Sequence, residues 1–269
     1  MSEMQEQDIV GCLQEGDVDY LATEVRPWRE RSPMRGDDSK LERYRLKSFK
    51  YSSHYWVLRF LSAEKGPLRI LDVGTSDGYM GASLRRLGHS VVGIENDPSY
   101  AEKGRQHYDS LHVGDVEDLE VPYRGEFDYI LFADVLEHVR DPIAVLRRLL
   151  PSLKESGKII VSVPNIANIV IRLSLLLGKF DYADRGILDK THLRFFTLAS
   201  LKRMLEEASC LVLEVVPTPL PVQLVFPVTE KKIFAPLHEA HYLLVRFWQT
   251  LFAYQFVAQA RPGLTVRAS

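Results

Sequence analysis

Short apolar runs recur along the middle of the chain, separated by amphipathic or polar stretches. The runs occupy residues 68–71, 90–95, 111–116, 127–134 and 158–165. Each has the length of a strand, and the last is apolar enough to be a parallel strand covered on both faces. Between them lie helix-length segments. Residues 46–61 carry Tyr51, Tyr55, Leu58 and Leu61 at i, i+4, i+7 and i+10, a helical spacing. Residues 81–88 read as a helix, and Asn96-Asp97-Pro98 as the cap of another. After the fifth run, apolar positions 166, 169, 170, 173, 176 and 177 fall on one helix face, and Gly178 stands where a C-cap belongs. Thr197 is placed to N-cap a helix to Ala208. Residues 211–216 and 252–261 read as sixth and final strands. Strand and helix alternate, which predicts an α/β domain with a largely parallel sheet and helices on both faces.

The first run continues into Leu71-Asp72-Val73-Gly74-Thr75-Ser76-Asp77-Gly78-Tyr79. Strand, Gly-rich turn and helix form the first half of a nucleotide-binding βαβ unit. Gly74 and Gly78 would let the backbone pass close to a ligand. Here the glycines fall at 74, 78 and 81, not in the G-x-G-x-x-G spacing that faces a pyrophosphate. Asp72 and Asp77 are interleaved with them, and two carboxylates suit a cationic ligand better than a pyrophosphate. Glu95 ends the second run roughly 20 residues later, where an acid can bond both ribose hydroxyls; that distance serves NAD equally well. The third run leaves through Gly114-Asp115-Val116, and the fourth meets a polar cluster at Asp134, Glu137 and His138. Ligands of open α/β sheets bind outside the carboxyl ends of the strands, so this cluster should face a site.

Taken together, these residues resemble the class I S-adenosylmethionine-dependent methyltransferases across about 68–165 and the closing strands. Ser76 departs from the pattern, standing where that family usually has a second Gly. The resemblance implies a Rossmann-like sheet, mostly parallel, with an antiparallel final strand and a helical insertion before it. It implies S-adenosylmethionine held by Asp72, Gly74, Thr75, Asp77, Gly78, Glu95, Asn96, Asp115, Val116 and Asp134. Glu95 would take the ribose, and Asp115 with the N–H of Val116 the adenine. As a turn residue, Asp115 would equally serve its own backbone. The helix before the first strand often closes over the cofactor, which brings Tyr51 and His54 near the pocket, although packing explains both.

The sulfonium methyl is already electrophilic, so the protein's tasks are alignment and a place for the acceptor's proton. His138 and His192 are the candidate bases. Around His192, the block 191–197 resembles one in methyltransferases of glycan and cell-surface pathways. Asp134, Glu137 and His138, at i, i+3 and i+4, share one face of a turn. They resemble an acid-x-x-Glu-His cluster of ubiquinone-pathway O-methyltransferases that binds a divalent metal, Mg or Zn. Structural roles at a helix start explain the same three residues.

Charge and composition narrow the partners. The 269 residues carry a formal charge of −2 with 46% hydrophobic content, which disfavours nucleic acid as substrate. Cys12 and Cys210 form no CxxC, no apolar run reaches 18 residues, and no signal-peptide pattern opens the chain. A cytoplasmic setting is the expectation. Residues 1–20 hold six acids and no Lys or Arg, and 21–50 then turn basic. Residues 1–45 are expected to form an arm and 46–269 the methyltransferase domain, with 166–197 and 217–251 as acceptor-pocket or lid segments. The second of these is Pro-rich, then apolar with Ala240, Leu243, Leu244, Phe247 and Leu251 on one side. Core or lid is its first reading; a homodimer surface or a peripheral membrane helix are the others.

The expected activity is methyl transfer to oxygen of a small-molecule or saccharide acceptor. The alternatives are carbon methylation of a prenyl or polyketide-like acceptor, and a non-catalytic methyltransferase-like partner protein.

Overall fold

The computed structural model describes residues 49–222, 227–230 and 232–263. The expected arm 1–45, Cys12 and the first residues of the helix placed at 46 lie outside that range. The strands are β1 (Arg69–Val73), β2 (Ser90–Glu95), β3 (Ser110–Val113), β4 (Phe127–Ala133), β5 (Leu153–Pro164), β6 (Cys210–Thr218) and β7 (Gln255–Pro262). They form one sheet in the order β3-β2-β1-β4-β5-β7-β6. β1 to β5 pair in parallel, while β7 runs antiparallel between β5 and β6. This is the topology the sequence implied.

Side-chain alternation divides the sheet into two cores. On one face Leu71, Ile94, Phe132 and Val161 meet α4 (Pro142–Leu149) and α6 (Leu198–Glu207). On the other, Ile70, Val91, Leu131 and Ile160 meet α1 (Ser53–Ser62) and α2 (Tyr79–Arg86). α3 (Pro98–Gly104) follows β2 and is capped by Asp97, which accepts from Ser99 N. No helix among the described residues is long and apolar enough to cross a membrane.

Several boundaries differ from the sequence expectation, each for a local reason. α1 begins at Ser53 because Tyr51 is left-handed (φ 69°) and the Ser52 hydroxyl caps the helix. α2 begins at Tyr79, directly after Gly78 at φ 89°. β7 starts at Gln255 because residues Gln249–Phe252 (α8) form a helical turn.

The helix after β5, α5 (Ile169–Leu176), is N-capped by Asn168. Its apolar residues point outward; among them only Ile171 is buried. The insertion helix α7 (Ala235–Phe247) is also reversed from the simplest reading. Tyr242 and Val245 are buried, while Leu243, Leu244 and Phe247 are exposed. α7 is fastened to the start of α1. Tyr242 stacks on Tyr51 at 3.8 Å, and Glu239 accepts from the Tyr51 hydroxyl (2.6 Å) and Lys50 (2.9 Å).

The junction of β5, α5 and β7 is tied by two buried asparagines. Asn165 and Asn168 each donate to the Ala253 carbonyl at 2.9 Å, while their side-chain oxygens accept from Ala167 N and Val170 N. Asn168→Ala removes a helix cap and a donor to a buried carbonyl. It should lower the unfolding free energy by about 2 kcal/mol. Asn168→Ser, which keeps the cap alone, should recover part of the loss in urea titrations. Equal stability of all three proteins would contradict this role.

Candidate functional site

The turn after β1 is built on three left-handed residues, Gly74 (φ 74°), Ser76 (φ 50°) and Gly78 (φ 89°). Gly74 N and Thr75 N both donate to the Ile94 carbonyl, and Gly78 N to the Thr75 carbonyl. A Cβ on Gly78 would lie 2.7 Å from Gly104 Cα, and one on Gly74 would lie 2.6 Å from a Val135 methyl. The glycines therefore let the turn pass close to its own chain, which the sequence reading had attributed to approach of a ligand. Ser76 tolerates the left-handed conformation at the position where the family usually has Gly. Its hydroxyl is buried and has no hydrogen-bond partner among the described residues.

Beneath the turn lies Asp72. Its carboxyl is buried and accepts from the Tyr108 hydroxyl at 2.7 Å. Tyr108 reaches it by crossing Gly81, whose Cβ would stand 2.4 Å from the Tyr108 ring. Burial, with the Glu95 charge adding, pushes the Asp72 carboxyl up to about 7 against the Tyr108 hydrogen bond. Asp72, expected to anchor a cofactor directly, thus has a partner inside the core and supports the turn from within. Tyr108 escaped the sequence reading, because nothing in its neighbourhood marks it.

Glu95 ends β2 at the turn's edge. Its carboxylate accepts from Ser76 N (2.6 Å) and Asp97 N (3.0 Å). Burial raises its pKa, while those N–H bonds pull it down. Thr75 is buried and Asp77 half-buried beside it; Asn96 is exposed. At the next strand end, Asp115 is exposed and accepts from Glu117 N at 2.8 Å, the self-capping geometry left open above; Val116 is buried. His54 is buried with its ring 5.1 Å from Tyr79 at the start of α2. Tyr51, by contrast, packs on Tyr242.

A second group collects at the ends of β4 and β5. Asp134 is left-handed (φ 59°), and its N–H donates to the Ser162 hydroxyl at 3.0 Å. Its Oδ1 accepts from Ser162 and, at 2.9 Å, from Gln255 Nε2 on β7. Ser162 and Gln255 are polar residues inside apolar strands, a signal the sequence offered and the reading passed over. Glu137 and His138 follow on a short 3-10 helix, Leu136–His138.

The Glu137 carbonyl accepts from Leu193 N and Arg194 N, and Arg194 also donates to the Arg140 carbonyl. This draws His192 in, so that the His138 and His192 rings lie 4.8 Å apart, edge to face. His192 Nδ1 is 3.0 Å from the Ile187 carbonyl, which can only accept, so Nδ1 carries the proton and Nε2 the lone pair. His138 Nδ1 likewise lies 3.2 Å from the Thr191 carbonyl. Burial lowers the His192 pKa, and the neighbouring His138 lowers it further.

Both implied groups can be weighed against these residues. The buried Ser76 hydroxyl, without a hydrogen-bond partner among the described residues, and the Glu95 carboxylate fit a polar, ribose-bearing cofactor at the turn. For a metal, Glu137, His138 and His192 each offer a ligand atom, all within 4.8 Å of one another. The expected third ligand, Asp134, is not in that set, because its carboxyl is held by Ser162 and Gln255; His192 takes its place. Two imidazoles with Nδ1 on carbonyls and one carboxylate suit Zn better than Mg.

Known proteins resemble this chain in sequence and in fold. A profile described as a methyltransferase domain matches residues 45–215. The ubiquinone biosynthesis O-methyltransferase of Xanthomonas axonopodis pv. citri is 36% identical over 118 residues, 40% of this chain and 48% of that protein. Its namesake in Xanthomonas euvesicatoria pv. vesicatoria is 37% identical over 105 residues, 36% of this chain and 43% of that protein. The match therefore spans about half the length of these curated relatives or less. Among solved structures, an S-adenosylmethionine-dependent methyltransferase from Mesorhizobium loti aligns with a TM-score of 0.53 at 16% identity, covering 78% of this chain and 98% of that one. A magnesium protoporphyrin IX methyltransferase from Synechocystis, crystallised with S-adenosylhomocysteine, aligns at 0.54 and 15%, covering 78% and 82%. At such identities the structural likeness speaks for the fold.

The buried Asp72 makes a prediction about stability. Its carboxyl titrates near 7 when folded and near 3.8 in the ordinary state, so the folded protein holds the proton more tightly. Its contribution to stability is therefore largest below about pH 4 and is lost as pH rises to about 7, by at most about 1.4 kcal/mol per pH unit. Asp72→Asn should flatten this part of the pH–stability curve measured by urea unfolding. Identical slopes in the two proteins would mean that Asp72 does not titrate there.

Proposed function

The chain belongs to the class I S-adenosylmethionine-dependent methyltransferases, and from that premise we propose that it transfers the methyl group to an oxygen of a small-molecule acceptor. The observation that carries the choice of oxygen is His192. Its Nδ1 proton is committed to the Ile187 carbonyl, and burial, with His138 beside it, disfavours the charged ring. An Nε2 lone pair is thus available for a hydroxyl proton. The words O-methyltransferase in the relatives' names support the same atom. The comparisons give no support to a saccharide acceptor. A carbon acceptor would leave a neutral base with less to do before attack.

The cofactor supplies an electrophilic methyl on a positively charged sulfur. Glu95 would hold the ribose hydroxyls and Asp115 with Val116 the adenine, while the backbone of 74–78 would bound the methionine part. Asp134, held by Ser162 and Gln255, borders the acceptor side. Bound there, the cofactor would supply its methyl group to the acceptor oxygen and would leave as the neutral thioether. The acceptor's proton goes to His192 Nε2.

A second reading rests on the same histidines. With Glu137 and His138, His192 would hold a divalent metal, which would lower the acceptor hydroxyl's pKa and remove the need for a base.

The first test is calorimetric titration with S-adenosylmethionine, S-adenosylhomocysteine and NAD. The first two should bind and NAD should not. Glu95→Ala should weaken cofactor binding by about tenfold or more, as expected for losing hydrogen bonds from a charged group. Unchanged affinity would remove Glu95 from the site. For the chemistry, His192→Ala should lower kcat by at least about a hundredfold with little change in cofactor affinity. Chelator treatment separates the two readings: full activity afterwards keeps His192 as the base, and activity lost to chelator and restored by Zn makes it a ligand.

A further inference from the structure

α5 and the turn after it carry an apolar surface on the outside of the protein. Val170, Leu173 and Leu175 are about half exposed, Leu176 is 80% exposed and Leu177 is 73% exposed. At 100° per residue these five side chains sweep roughly 220° around the helix axis. A flat protein partner would cover a stripe nearer 100° wide. A medium that surrounds the helix fits the wider arc.

The surroundings add charge and aromatic character. Residues 166–180 contain no Asp or Glu, while Arg172 and Lys179 are both exposed; one exposed acid, Asp181, stands between Phe180 and Tyr182. The Arg172 guanidinium donates to the carbonyls of Ala167 and Thr250, bonds that leave its charge uncompensated. The Thr250 bond also sets α8 beside α5, and the two residues before α8 are Phe247, 87% exposed, and Trp248, about half exposed. Lys179 is followed by Phe180 and Tyr182, whose rings pack 5.6 Å apart. Leucines at a helix tip, cations beside them and aromatic rings at the margin are the pattern of an interfacial anchor.

The surface runs up to the proposed acceptor site. Phe180 meets Phe195 at 6.1 Å, and Phe195 meets His192 at 6.3 Å.

We infer that α5 and its flanking aromatics seat the protein on the surface of an anionic phospholipid bilayer, with the acceptor side of the site turned toward the lipid. The leucines enter the headgroup–acyl boundary, and Arg172 and Lys179 meet the phosphates. Nothing in this depends on the acceptor's identity or on which group accepts the proton. Sequence reading had placed the option of peripheral membrane contact in the 217–251 insertion; the structure moves its centre to α5, with the end of α7 as a flank.

Flotation of the full chain with vesicles tests it. Vesicles of phosphatidylcholine with phosphatidylglycerol should carry the protein, and phosphatidylcholine alone should carry much less. Leu176→Glu combined with Leu177→Glu should cut the bound fraction by about tenfold or more. Calorimetric S-adenosylmethionine binding should stay unchanged, which shows that the variant is folded. Lys179→Glu should reduce the preference for the anionic vesicles. No binding to either vesicle, or undiminished binding of the double variant, would overturn the inference. So would light scattering that shows a dimer in the parent protein and a monomer in the double variant, since a second copy of the chain would then own this surface.

Discussion

Gly78 and Gly104 pass so close that their backbones touch, and the cofactor half of the fold depends on that approach. Gly78 Cα and N sit within about 3.2 Å of the point where a Gly104 Cβ would stand. Only two residues without Cβ can be there together. The contact brings the end of α3 against the turn between β1 and α2. That turn in turn sets Ser76 N against Glu95, and so aligns the carboxyl end of β2 with the carboxyl end of β1. One close approach thereby fixes the relative position of the groups proposed to hold ribose and methionine. The same crowding appears one layer deeper. Gly81 and Gly93 leave room for the Tyr108 ring, which reaches Asp72 and closes the space under the turn.

The acceptor half is held by different means. Here the backbone is not squeezed; it is tied by hydrogen bonds, from side chains and from backbone N–H groups, to carbonyls and a carboxylate far away in sequence. Asn165 and Asn168 meet Ala253, Gln255 meets Asp134, and the segment around His192 is fastened to the Glu137 carbonyl. β7, inserted antiparallel, supplies Gln255, and Ala253 lies just before it, so the last strand does more than complete the sheet. It brings a glutamine across β5 to the end of β4. A left-handed Asp134 costs free energy of order 1 kcal/mol and persists because Ser162 and Gln255 hold it.

This difference explains what could be read from the chain. The succession of strands along the chain, the turn at 74–78 and Glu95 are local patterns, and local patterns survive in a one-dimensional string; the antiparallel final strand came from the family resemblance. Periodicity gave α5 and α7 as helices but left open which way their apolar faces point. A row of leucines at helical spacing says that one side is apolar, not that this side is inside; α5 wears it outward. Distances across more than a hundred positions, such as Gln255 to Asp134, leave no mark except a polar residue in an apolar strand. His192 was found because its block is unusual, yet its meeting with His138 came only from the Glu137 carbonyl joining the two loops. Tyr108 had no signal at all.

The two halves also differ in what they can tolerate, and this bears on how the site is divided between them. A turn built from touching backbones admits few substitutions, so the cofactor end is fixed by geometry and should respond to change by losing stability as well as affinity. A pocket edge built from hydrogen bonds between side chains and distant carbonyls can be rebuilt by exchanging one polar residue for another. On the proposed reading, specificity for an acceptor would belong to the region around Asp134, His192 and Gln255, near where the outward-facing leucines and aromatic rings begin. Much of the surface that would meet a lipid lies on the stretch of chain that carries His192, from Asn165 to Phe196. An acceptor delivered along that stretch would encounter Phe195 before His192, so an apolar portion would be bound first and the hydroxyl presented last.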